Sequence, residues 1–339
     1  MNNRLQMRND FIQSSGWANA QVTTVAGDAS NRSYERLINS TGHSVILMNA
    51  PPEKDENVRP FVQILNVLRD NGLAAPELLR ADIENGFLLL EDLGNDLFSQ
   101  VCKTNPDVEP TLYRASIDVL LKLHKIKTPQ NIAPYNLATY LREADLITDW
   151  YIPSATGRAV KKASIEAYRN EISTACNRIH NTDSVLVLRD YHAENLLWLT
   201  EREGLKKVGL LDFQDALIGH PAYDLVSLLE DARRDTPKQL QTDMKAYFIQ
   251  NSDVDPEHFN YAYATIGAQR NLKIIGIFAR LCVRDTKPQY VDLIPRVWAH
   301  LQHDLSHPNL KSLKNWVDTN VPEPTPQILT KIKEARNAA

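Results

Sequence analysis

The sequence predicts an α+β fold with two lobes, a small β-rich N-lobe over residues 1–95 and a larger, mostly helical C-lobe over residues 96–321. Two observations support this prediction. The chain has 339 residues, which exceeds the usual domain length of about 100–200 residues. Strand patterns and turn pairs dominate before residue 95, and helical patterns dominate after it. Residues 322–339 begin with Pro-Glu-Pro-Thr-Pro and are predicted to form a loosely held C-terminal extension.

Composition excludes several classes of protein. The 42 acidic and 38 basic side chains leave a net charge of −4, so no basic surface for nucleic acid is indicated. Cys102, Cys176 and Cys282 lack Cys-x-x-Cys spacing and are predicted to be reduced structural thiols. No segment approaches the roughly 18 apolar residues of a membrane span, and the start lacks the apolar core of a signal peptide. We therefore expect a cytoplasmic protein that binds neither nucleic acid nor membrane; the sequence indicates no oligomeric state.

Local patterns predict the elements of the N-lobe. Residues 22–50 combine β-favouring runs with a Gly-Asp-Ala-Ser turn and a Thr-Gly turn, which predicts strands joined as a hairpin. An apolar stripe with helical spacing then predicts an amphipathic helix that ends near Asn71-Gly72. The members of that stripe are Phe61, Ile64, Leu65 and Leu68. Residues 76–94 predict a second hairpin, so we expect a small sheet with one crossing helix.

The C-lobe begins with helical patterns and contains two short predicted strand regions. One helical face is marked by Ile117, Leu120, Leu121 and His124, and residues 137–150 and 163–180 have helical composition. The apolar run at 185–190 predicts a buried strand, and two apolar runs within 196–213 predict a hairpin. Helical patterns resume from Pro221 to about residue 305.

Three oxygen-bearing side chains flank these predicted strands. If residues 196–199 and 208–211 pair as an antiparallel hairpin, the start of the first strand and the end of the second lie at the same edge. Asn195 precedes the first strand and Asp212 follows the second. Asp190 follows the neighbouring buried run. We therefore expect the three side chains to converge on one point.

The chemistry of this set favours a hard cation. Oxygen ligands without imidazole or thiolate suit Mg²⁺, which usually takes one or two protein oxygens and completes its shell with water and substrate phosphates. Asn195 and Asp212 are therefore the predicted metal ligands. Asp190 is left to accept a proton from an attacking hydroxyl, in the spacing D-x-x-x-x-N. The alternative is a set of Asp and Asn residues that merely cap turns.

The runs around these residues resemble a known family. LRDYHAENLLWL and LLDFQDALIGHPAYDLVSLLED resemble the catalytic core of aminoglycoside phosphotransferase-like kinases, whose pattern is H-x-D-x-x-x-x-N, then D-F or D-W, then P-x-x-D-L. GDASNRSYERL, VILMNAPP, FLLLEDLG and QRNLKIIGIFARL resemble more specifically the bacterial anomeric sugar kinases that phosphorylate N-acetylmuramate and N-acetylglucosamine at C1 in cell-wall recycling. The resemblance covers roughly residues 20–300 and implies a bilobal protein-kinase-like fold.

The resemblance assigns roles residue by residue. It implies that Asp190 is the catalytic base and that Asn195 and Asp212 hold Mg²⁺ under the phosphates of ATP. Asp224 matches the P-x-x-D carboxylate that anchors the catalytic loop through backbone N–H groups. The segment near residues 90–95 matches the linker between lobes, where backbone groups meet adenine. The positions implied there are Glu91, Asp92 and Leu93.

Two positions depart from the family pattern. Leu188 replaces the His that many members carry before the catalytic Asp. Met48, which we count among the nucleotide-binding positions, stands where kinases carry the strand lysine that binds phosphates. We expect the metal, Arg32 and the backbone N–H groups of one loop to meet the phosphate charge instead. That loop comprises Gly27, Asp28, Ala29 and Ser30, for which a plain hairpin turn is the alternative.

Acceptor binding is predicted from a basic pair and a histidine. Arg270 and Lys273 are three residues apart on a predicted helix and share a face. They could bind the transferring phosphate or a sugar carboxylate such as the lactyl group of muramate; an ordinary salt-bridging face is the alternative. His192 matches the second His of the H-x-D-x-H pattern. It either approaches the acceptor or supports the loop.

These observations lead to one function and two alternatives. The sequence predicts ATP- and Mg²⁺-dependent phosphorylation of the anomeric C1 hydroxyl of N-acetylmuramate or N-acetylglucosamine. The first alternative is a kinase for another hydroxyl compound, such as an aminoglycoside, choline or homoserine. The second is a nucleotide-binding pseudokinase, which only Met48 supports. The sequence contains no GxGxxG after a predicted strand, no P-loop, no HExxH and no GxSxG motif. The chemistries that these motifs mark are therefore not indicated.

Overall fold

A computed structural model of the protein describes residues 2–25, 31–179 and 184–335. The strands within these residues are β1 (Gln21–Val25), β2 (Ser33–Ile38), β3 (Ser44–Asn49), β4 (Leu78–Asp82), β5 (Phe87–Glu91), β6 (Val185–Val187), β7 (Leu196–Trp198), β8 (Val208–Leu210) and β9 (Leu217–Gly219). The helices are α1 (Asn2–Ser14), α2 (Arg59–Asp70), α3 (Phe98–Thr104), α4 (Glu109–Leu123), α5 (Leu137–Ala144), α6 (Ile152–Thr156), α7 (Lys162–Asn177), α8 (Ala222–Leu229), α9 (Lys238–Gln250), α10 (Pro256–Val283), α11 (Ile294–Asp304), α12 (Lys311–Asn320) and α13 (Pro326–Ala335).

The described residues fall into two compact units. The first lies within residues 1–119 and 193–216, and the second within residues 120–192 and 217–339. The hairpin of β7 and β8 therefore belongs with the first unit, whereas the sequence prediction groups it with the helical lobe. Its attachment is local to that unit, because Leu210 N–H donates to Ala74 O (2.9 Å). The predicted lobe boundary after residue 95 stays a prediction.

The first unit is built on an antiparallel sheet in the order β1-β2-β3-β5-β4. This confirms both predicted hairpins. Helix α1 is not predicted from the sequence. Phe11 and Ile12 of α1 pack into a buried cluster with Leu37, Val45, Leu47, Phe87 and Leu89 of the sheet. The apolar residues of α1 do not form a regular stripe along it, so the pattern that reveals amphipathic helices is missing.

Helix α2 is the crossing helix that the sequence predicts. Its buried residues are Phe61, Ile64, Leu65 and Leu68, the four members of the predicted stripe. Burying a side chain of this size contributes about 1.5–3 kcal/mol relative to leaving it exposed. The Phe61 ring also stacks on Phe213, just after β8, with 4.8 Å between centroids. The helix therefore packs against the residues that follow the β7–β8 hairpin.

The second unit is mainly helical and is organised around the 28-residue helix α10. This helix packs against α5, α8 and α11. Strand β6 pairs with β9 in antiparallel fashion, with Val185 opposite Gly219. The sequence predicts β6 as a buried strand but not its partner β9. Together with the sheet of the first unit, this arrangement confirms the predicted α+β class.

The described part of the C-terminal segment, residues 322–335, is packed rather than loosely held, which corrects the sequence prediction there. Residues 326–335 form α13, in which Ile332 is fully buried. Just before it, the Tyr151 hydroxyl donates to Pro322 O (2.7 Å). Proline-rich composition suggested an extension, but Pro326 stands at the first position of the helix, where a missing N–H costs nothing.

The cysteines and the helices of the described residues agree with two expectations from composition. Cys102, Cys176 and Cys282 are buried thiols that are not joined in disulfides, as predicted. Burial raises the pKa of the Cys176 thiol to about 12, so it stays protonated at neutral pH. None of the helices in the described ranges combines the length and apolar character needed to cross a bilayer.

Candidate active site

The β7–β8 hairpin places Asn195 beside Asp212, as the sequence predicts. Leu196 lies opposite Leu210 in the antiparallel register, and Leu211 N–H donates to Asn195 O (3.0 Å). The carboxamide Nδ2 of Asn195 is then 3.4 Å from Oδ2 of Asp212. An amide and a carboxylate are therefore held side by side at one end of the hairpin.

The donor set of this pair fits Mg²⁺. Asp212 has a φ of 55°, a left-handed conformation that Asp adopts more readily than most residues. Gln214 Nε2 donates to Asp212 Oδ1 (2.7 Å) and orients the carboxylate. A half turn of the Asn195 carboxamide exchanges Nδ2 for Oδ1, so that the pair offers oxygen atoms to a cation. One carboxylate and one amide oxygen are a common protein contribution to a magnesium shell.

Asp190 lies on a loop of the second unit that Asp224 anchors. The Asp224 carboxylate accepts hydrogen bonds from Leu188 N–H (2.7 Å) and Arg189 N–H (2.8 Å). Asp190 N–H then donates to Leu188 O (2.9 Å). Asp224 is fully buried, and burial raises its pKa to about 7 although the two N–H donors act in the opposite direction. The convergence of Asp190 with Asn195 and Asp212 joins residues of two units and stays a prediction.

Arg189, the residue before Asp190, is held at its carbonyl as well as at its N–H. It has a left-handed φ of 73°. The Ser227 hydroxyl donates to Arg189 O (3.1 Å), and Arg270 Nη2 donates to the Ser227 oxygen (2.7 Å). Arg270 is buried. The structure thus places Arg270 behind the loop, as a support for its backbone.

Lys273 points to a different set of groups from Arg270. Its Nζ is 2.9 Å from Oε2 of Glu143 and 3.3 Å from the Tyr223 hydroxyl. The two cations therefore contact different groups, because Arg270 supports the loop through Ser227 and Lys273 is paired with a carboxylate. Acceptor binding by Arg270 or Lys273 stays a prediction. Glu143 was not singled out in the sequence. In the sequence, Glu143 is one charged residue of the amphipathic helix α5, and its spacing does not distinguish it from a residue on an exposed face.

His192 is buried and neutral. Only 4% of its surface is exposed, and its Nε2 accepts a hydrogen bond from Arg233 Nη1 (3.2 Å). Burial lowers the pKa of His192 to about 3; Asp231 acts against this shift, and Arg233 and Arg270 add to it. This environment favours the loop-supporting role over the acceptor-binding one, and acceptor binding by His192 stays a prediction.

The low pKa of His192 predicts a pH dependence of stability. The pKa of His192 is about 3 in the folded protein and near the ordinary 6.5 in the unfolded chain. Between these pH values the unfolded chain therefore binds more protons than the folded protein does. Stability from this group is therefore complete above pH 6.5 and decreases as the pH falls. We expect His192→Gln to reduce the slope of unfolding free energy against pH by up to about 1.4 kcal/mol per pH unit between pH 6 and 4.

Urea unfolding at several pH values measures this slope. His43→Gln is the matched control, because His43 is exposed and its replacement should leave the slope unchanged. Equal slopes for the parent protein and His192→Gln would contradict the assignment.

The predicted adenine-contacting segment uses part of its hydrogen-bonding capacity inside the first unit. Glu91 N–H donates to Glu77 O (2.8 Å), so this donor is already used. The Glu91 side chain pairs with Arg202 (2.5 Å) beside a cavity of about 340 Å³. Nucleotide contact through the other backbone groups of residues 91–93 stays a prediction.

Asp92 has a structural task in the same segment. Its carboxylate pairs with Arg36 (2.6 Å), and it accepts hydrogen bonds from the Ser44 hydroxyl (2.7 Å) and Gly94 N–H (3.0 Å). Burial works to raise the pKa of Asp92, but these donors outweigh it and the pKa is lowered. The side chain therefore secures the end of β5. Leu93 follows it, and its Cδ1 packs close to Gly209 of β8.

The structure describes Arg32 and Met48 but not the predicted phosphate-binding loop. The loop of Gly27, Asp28, Ala29 and Ser30 lies outside the described residues. Arg32 Nε pairs with Glu56 Oε2 (2.8 Å), and Glu56 Oε1 also accepts from Asn31 N–H (2.9 Å). Met48 is 1% exposed, between Tyr34 and Leu88 of the neighbouring strands. A lysine ammonium at that buried position would require a partner charge. Phosphate contact by Arg32 or Met48 stays a prediction.

A protein-family model and several named kinases match this chain. The model of the phosphotransferase enzyme family APH matches residues 21–259. An N-acetylmuramate/N-acetylglucosamine kinase of Caulobacter vibrioides is 35% identical, over 93% of this chain and 96% of the relative. One of the same name from Pseudomonas putida is 33% identical, over 86% of this chain and 87% of the relative.

Solved structures show a similar fold at low sequence identity. Choline kinase LicA from Streptococcus pneumoniae superposes with a TM-score of 0.61 at 16% identity, covering 88% of this chain and 99% of the other. The ADP-bound aminoglycoside phosphotransferase APH(2'')-Ib superposes with a TM-score of 0.59 at 14% identity, covering 88% and 96%. These similarities confirm the predicted kinase-like fold class.

Proposed function

This chain belongs to the phosphotransferase enzyme family, whose members transfer phosphate to a hydroxyl acceptor, and from that premise we propose that it phosphorylates the anomeric C1 hydroxyl of N-acetylmuramate, N-acetylglucosamine or both. The name shared by relatives at 35% and 33% identity over most of the chain is the observation that carries this proposal. The phosphate donor is ATP with Mg²⁺, and the product is a sugar 1-phosphate. The cytoplasm, where ATP is available, is the proposed location.

Asp190 is the proposed general base. A carboxylate at this position accepts the proton of the C1 hydroxyl while the hydroxyl oxygen attacks the γ-phosphorus. The bond between the γ-phosphorus and the oxygen that it shares with the β-phosphate breaks, and ADP leaves. The anomeric hydroxyl suits a carboxylate base because the ring oxygen withdraws electrons and makes it the most acidic hydroxyl of the sugar. Support comes from the loop, in which Asp224 and Ser227 hold the backbone on both sides of Arg189.

Asn195 and Asp212 are the proposed ligands of Mg²⁺. When bound, the cation neutralises phosphate charge as it develops during transfer. The protein contributes position: the hairpin register holds Asn195 against Asp212, and Gln214 orients the carboxylate. Because Met48 replaces a lysine, we assign a larger share of phosphate neutralisation to this site than in kinases with the strand lysine.

Product analysis tests the proposal directly. The protein is incubated with ATP and Mg²⁺ and with N-acetylmuramate, N-acetylglucosamine, an aminoglycoside, choline or homoserine. We expect ADP and a sugar 1-phosphate, seen by ³¹P NMR, from at least one of the two N-acetyl sugars. The methyl glycoside of N-acetylglucosamine is the matched control, because its C1 oxygen carries no proton and it should give no product.

Each other outcome points to a different function. Phosphorylation of the methyl glycoside at the rate of the free sugar would contradict transfer to C1. Turnover with choline, homoserine or an aminoglycoside alone would favour the corresponding kinase. Nucleotide binding without transfer to any acceptor would favour a pseudokinase.

A further inference from the structure

We propose that Glu143 is a positioning residue for Asp190 and that it acts by anchoring the side chain of Arg189. This inference rests on the proposed role of Asp190 as general base. Arg189 and Asp190 are neighbours in the loop, so a contact that holds Arg189 in place also limits the movement of Asp190. Glu143 comes from α5, 46 residues earlier in the chain.

Arg189 has a left-handed backbone conformation, which is unfavourable for arginine. Its φ of 73° lies in the left-handed region, where a side chain with a Cβ is strained by about 1 kcal/mol or more. Such a conformation persists only where surrounding groups determine it. The N–H of Arg189 is held by Asp224 and its carbonyl by Ser227. The guanidinium supplies a third point of attachment, through Nη2 to Oε1 of Glu143.

Glu143 is itself held in place by two further groups. Lys273 Nζ lies 2.9 Å from Oε2 of Glu143, and the Tyr135 hydroxyl donates to the same oxygen. Tyr135 also lies under the Arg189 guanidinium, 5.5 Å from the ring centroid. Burial works to raise the pKa of Glu143, but Lys273, Arg189 and Tyr135 outweigh it and the pKa is lowered. The carboxylate is therefore ionised and oriented.

Charge explains why the anchor depends on the carboxylate. Glu143 separates two cations, and the group of three carries one net positive charge. Replacing the carboxylate by a neutral amide would leave two cations facing each other in a largely buried place, where repulsion is weakly screened. Arg189, on a loop, can relieve this repulsion by leaving the site more readily than Lys273, which is on α10. Its departure would remove the third attachment of the loop.

The first test compares Glu143→Gln with Asp145→Asn. Asp145 is the matched control, because it is also buried, follows α5 directly and accepts two hydrogen bonds from Arg169 (2.9 and 2.6 Å) outside this group. We expect Glu143→Gln to lower kcat for sugar phosphorylation by about 10- to 100-fold, with both KM values within about threefold of the parent. Asp145→Asn should leave kcat within about twofold. Equal kcat values for the two variants would overturn the proposal.

A double-mutant cycle tests whether Glu143 acts through Arg189. In Arg189→Gly, glycine adopts the left-handed φ without strain, and the guanidinium is absent. We expect Glu143→Gln to lower kcat of this variant by less than about twofold, because the contact it breaks no longer exists. A decrease as large as in the parent background would show that Glu143 acts by another route, and the proposal would be wrong.

Amide hydrogen exchange gives a readout that requires no substrate. The N–H groups of Leu188 and Arg189 are bonded to Asp224, so a loosened loop exchanges them faster. We expect Glu143→Gln to accelerate their exchange by about tenfold or more relative to Asp145→Asn. Unchanged exchange would overturn the anchor even if the sugar kinase activity is found. If the parent phosphorylates no sugar, the proposed function fails, and exchange still decides whether Glu143 anchors the loop.

Discussion

Asp190→Asn should lower kcat for sugar phosphorylation by about 10²- to 10⁴-fold, the range that a general base contributes. Asparagine has nearly the same shape but cannot take a proton from the C1 hydroxyl at neutral pH. The loop should keep its conformation, because its attachments are made by Leu188 and Arg189 and by Asp224 and Ser227. We therefore expect the free energy of unfolding to change by less than about 1 kcal/mol. ADP release with saturating sugar and urea unfolding measure the two quantities.

Asp243→Asn is the control for this experiment. Asp243 is an exposed carboxylate on α9 that accepts one hydrogen bond from Gln239 (2.8 Å), and its replacement should leave kcat unchanged. If Asp190→Asn is folded and forms the sugar phosphate within about tenfold of the parental rate, a loss below the range for a base, another group must accept the proton. The proposed mechanism would then be wrong.

Asp212→Asn should lower kcat/KM for ATP by about 10²- to 10³-fold and raise the Mg²⁺ concentration needed for half-maximal activity. Metal-ion stabilisation of transferring phosphate is worth several kcal/mol, and each 1.4 kcal/mol is about tenfold in rate. The variant removes one negative charge from the site and leaves an amide beside Asn195. Asparagine tolerates the left-handed φ of 55° at this position, so the backbone should not change. Rates measured against Mg²⁺ at fixed ATP give both parameters.

Asp55→Asn controls for the left-handed geometry. Asp55 has a φ of 62° and is exposed, so the same exchange is made at a similar backbone conformation without a proposed metal ligand. It should alter neither the Mg²⁺ dependence nor kcat/KM. An unchanged Mg²⁺ dependence in Asp212→Asn would exclude Asp212 as a metal ligand.

The agreement between sequence and structure is best where the information is local. The apolar stripe of α2, the hairpins of the sheet and the pairing of β7 with β8 each depend on residues within about one or two elements of one another, and periodicity reports such packing directly. Asn195 could be placed beside Asp212 for this reason, because an antiparallel hairpin brings its two ends to one edge. Motif resemblance implies that Asp224 anchors the loop, and in the structure its carboxylate accepts two backbone hydrogen bonds there.

The disagreements arise where the sequence pattern is weak or has two interpretations. Helix α1 lacks a regular apolar stripe, and its burial depends on a sheet formed by later residues. The proline-rich start of the C-terminal segment suggested an extension, yet proline is also favoured at the first position of a helix such as α13. Shared spacing places Arg270 and Lys273 on one face of α10, but spacing does not specify that Arg270 meets Ser227 and Lys273 meets Glu143.

By itself, the sequence determined helix α2, the hairpins of the large sheet, the hairpin that joins Asn195 to Asp212, and the kinase-like motifs, because period, turn chemistry and short spacings are properties of contiguous residues. Only the tertiary structure decided the partners of the buried charges. Arg270 bonds Ser227, 43 residues away, and Glu143 bonds Arg189, 46 residues away. The physical reason is that a buried charge is paired wherever packing brings a complementary group, and the packing of whole helices, not local spacing, sets which group that is.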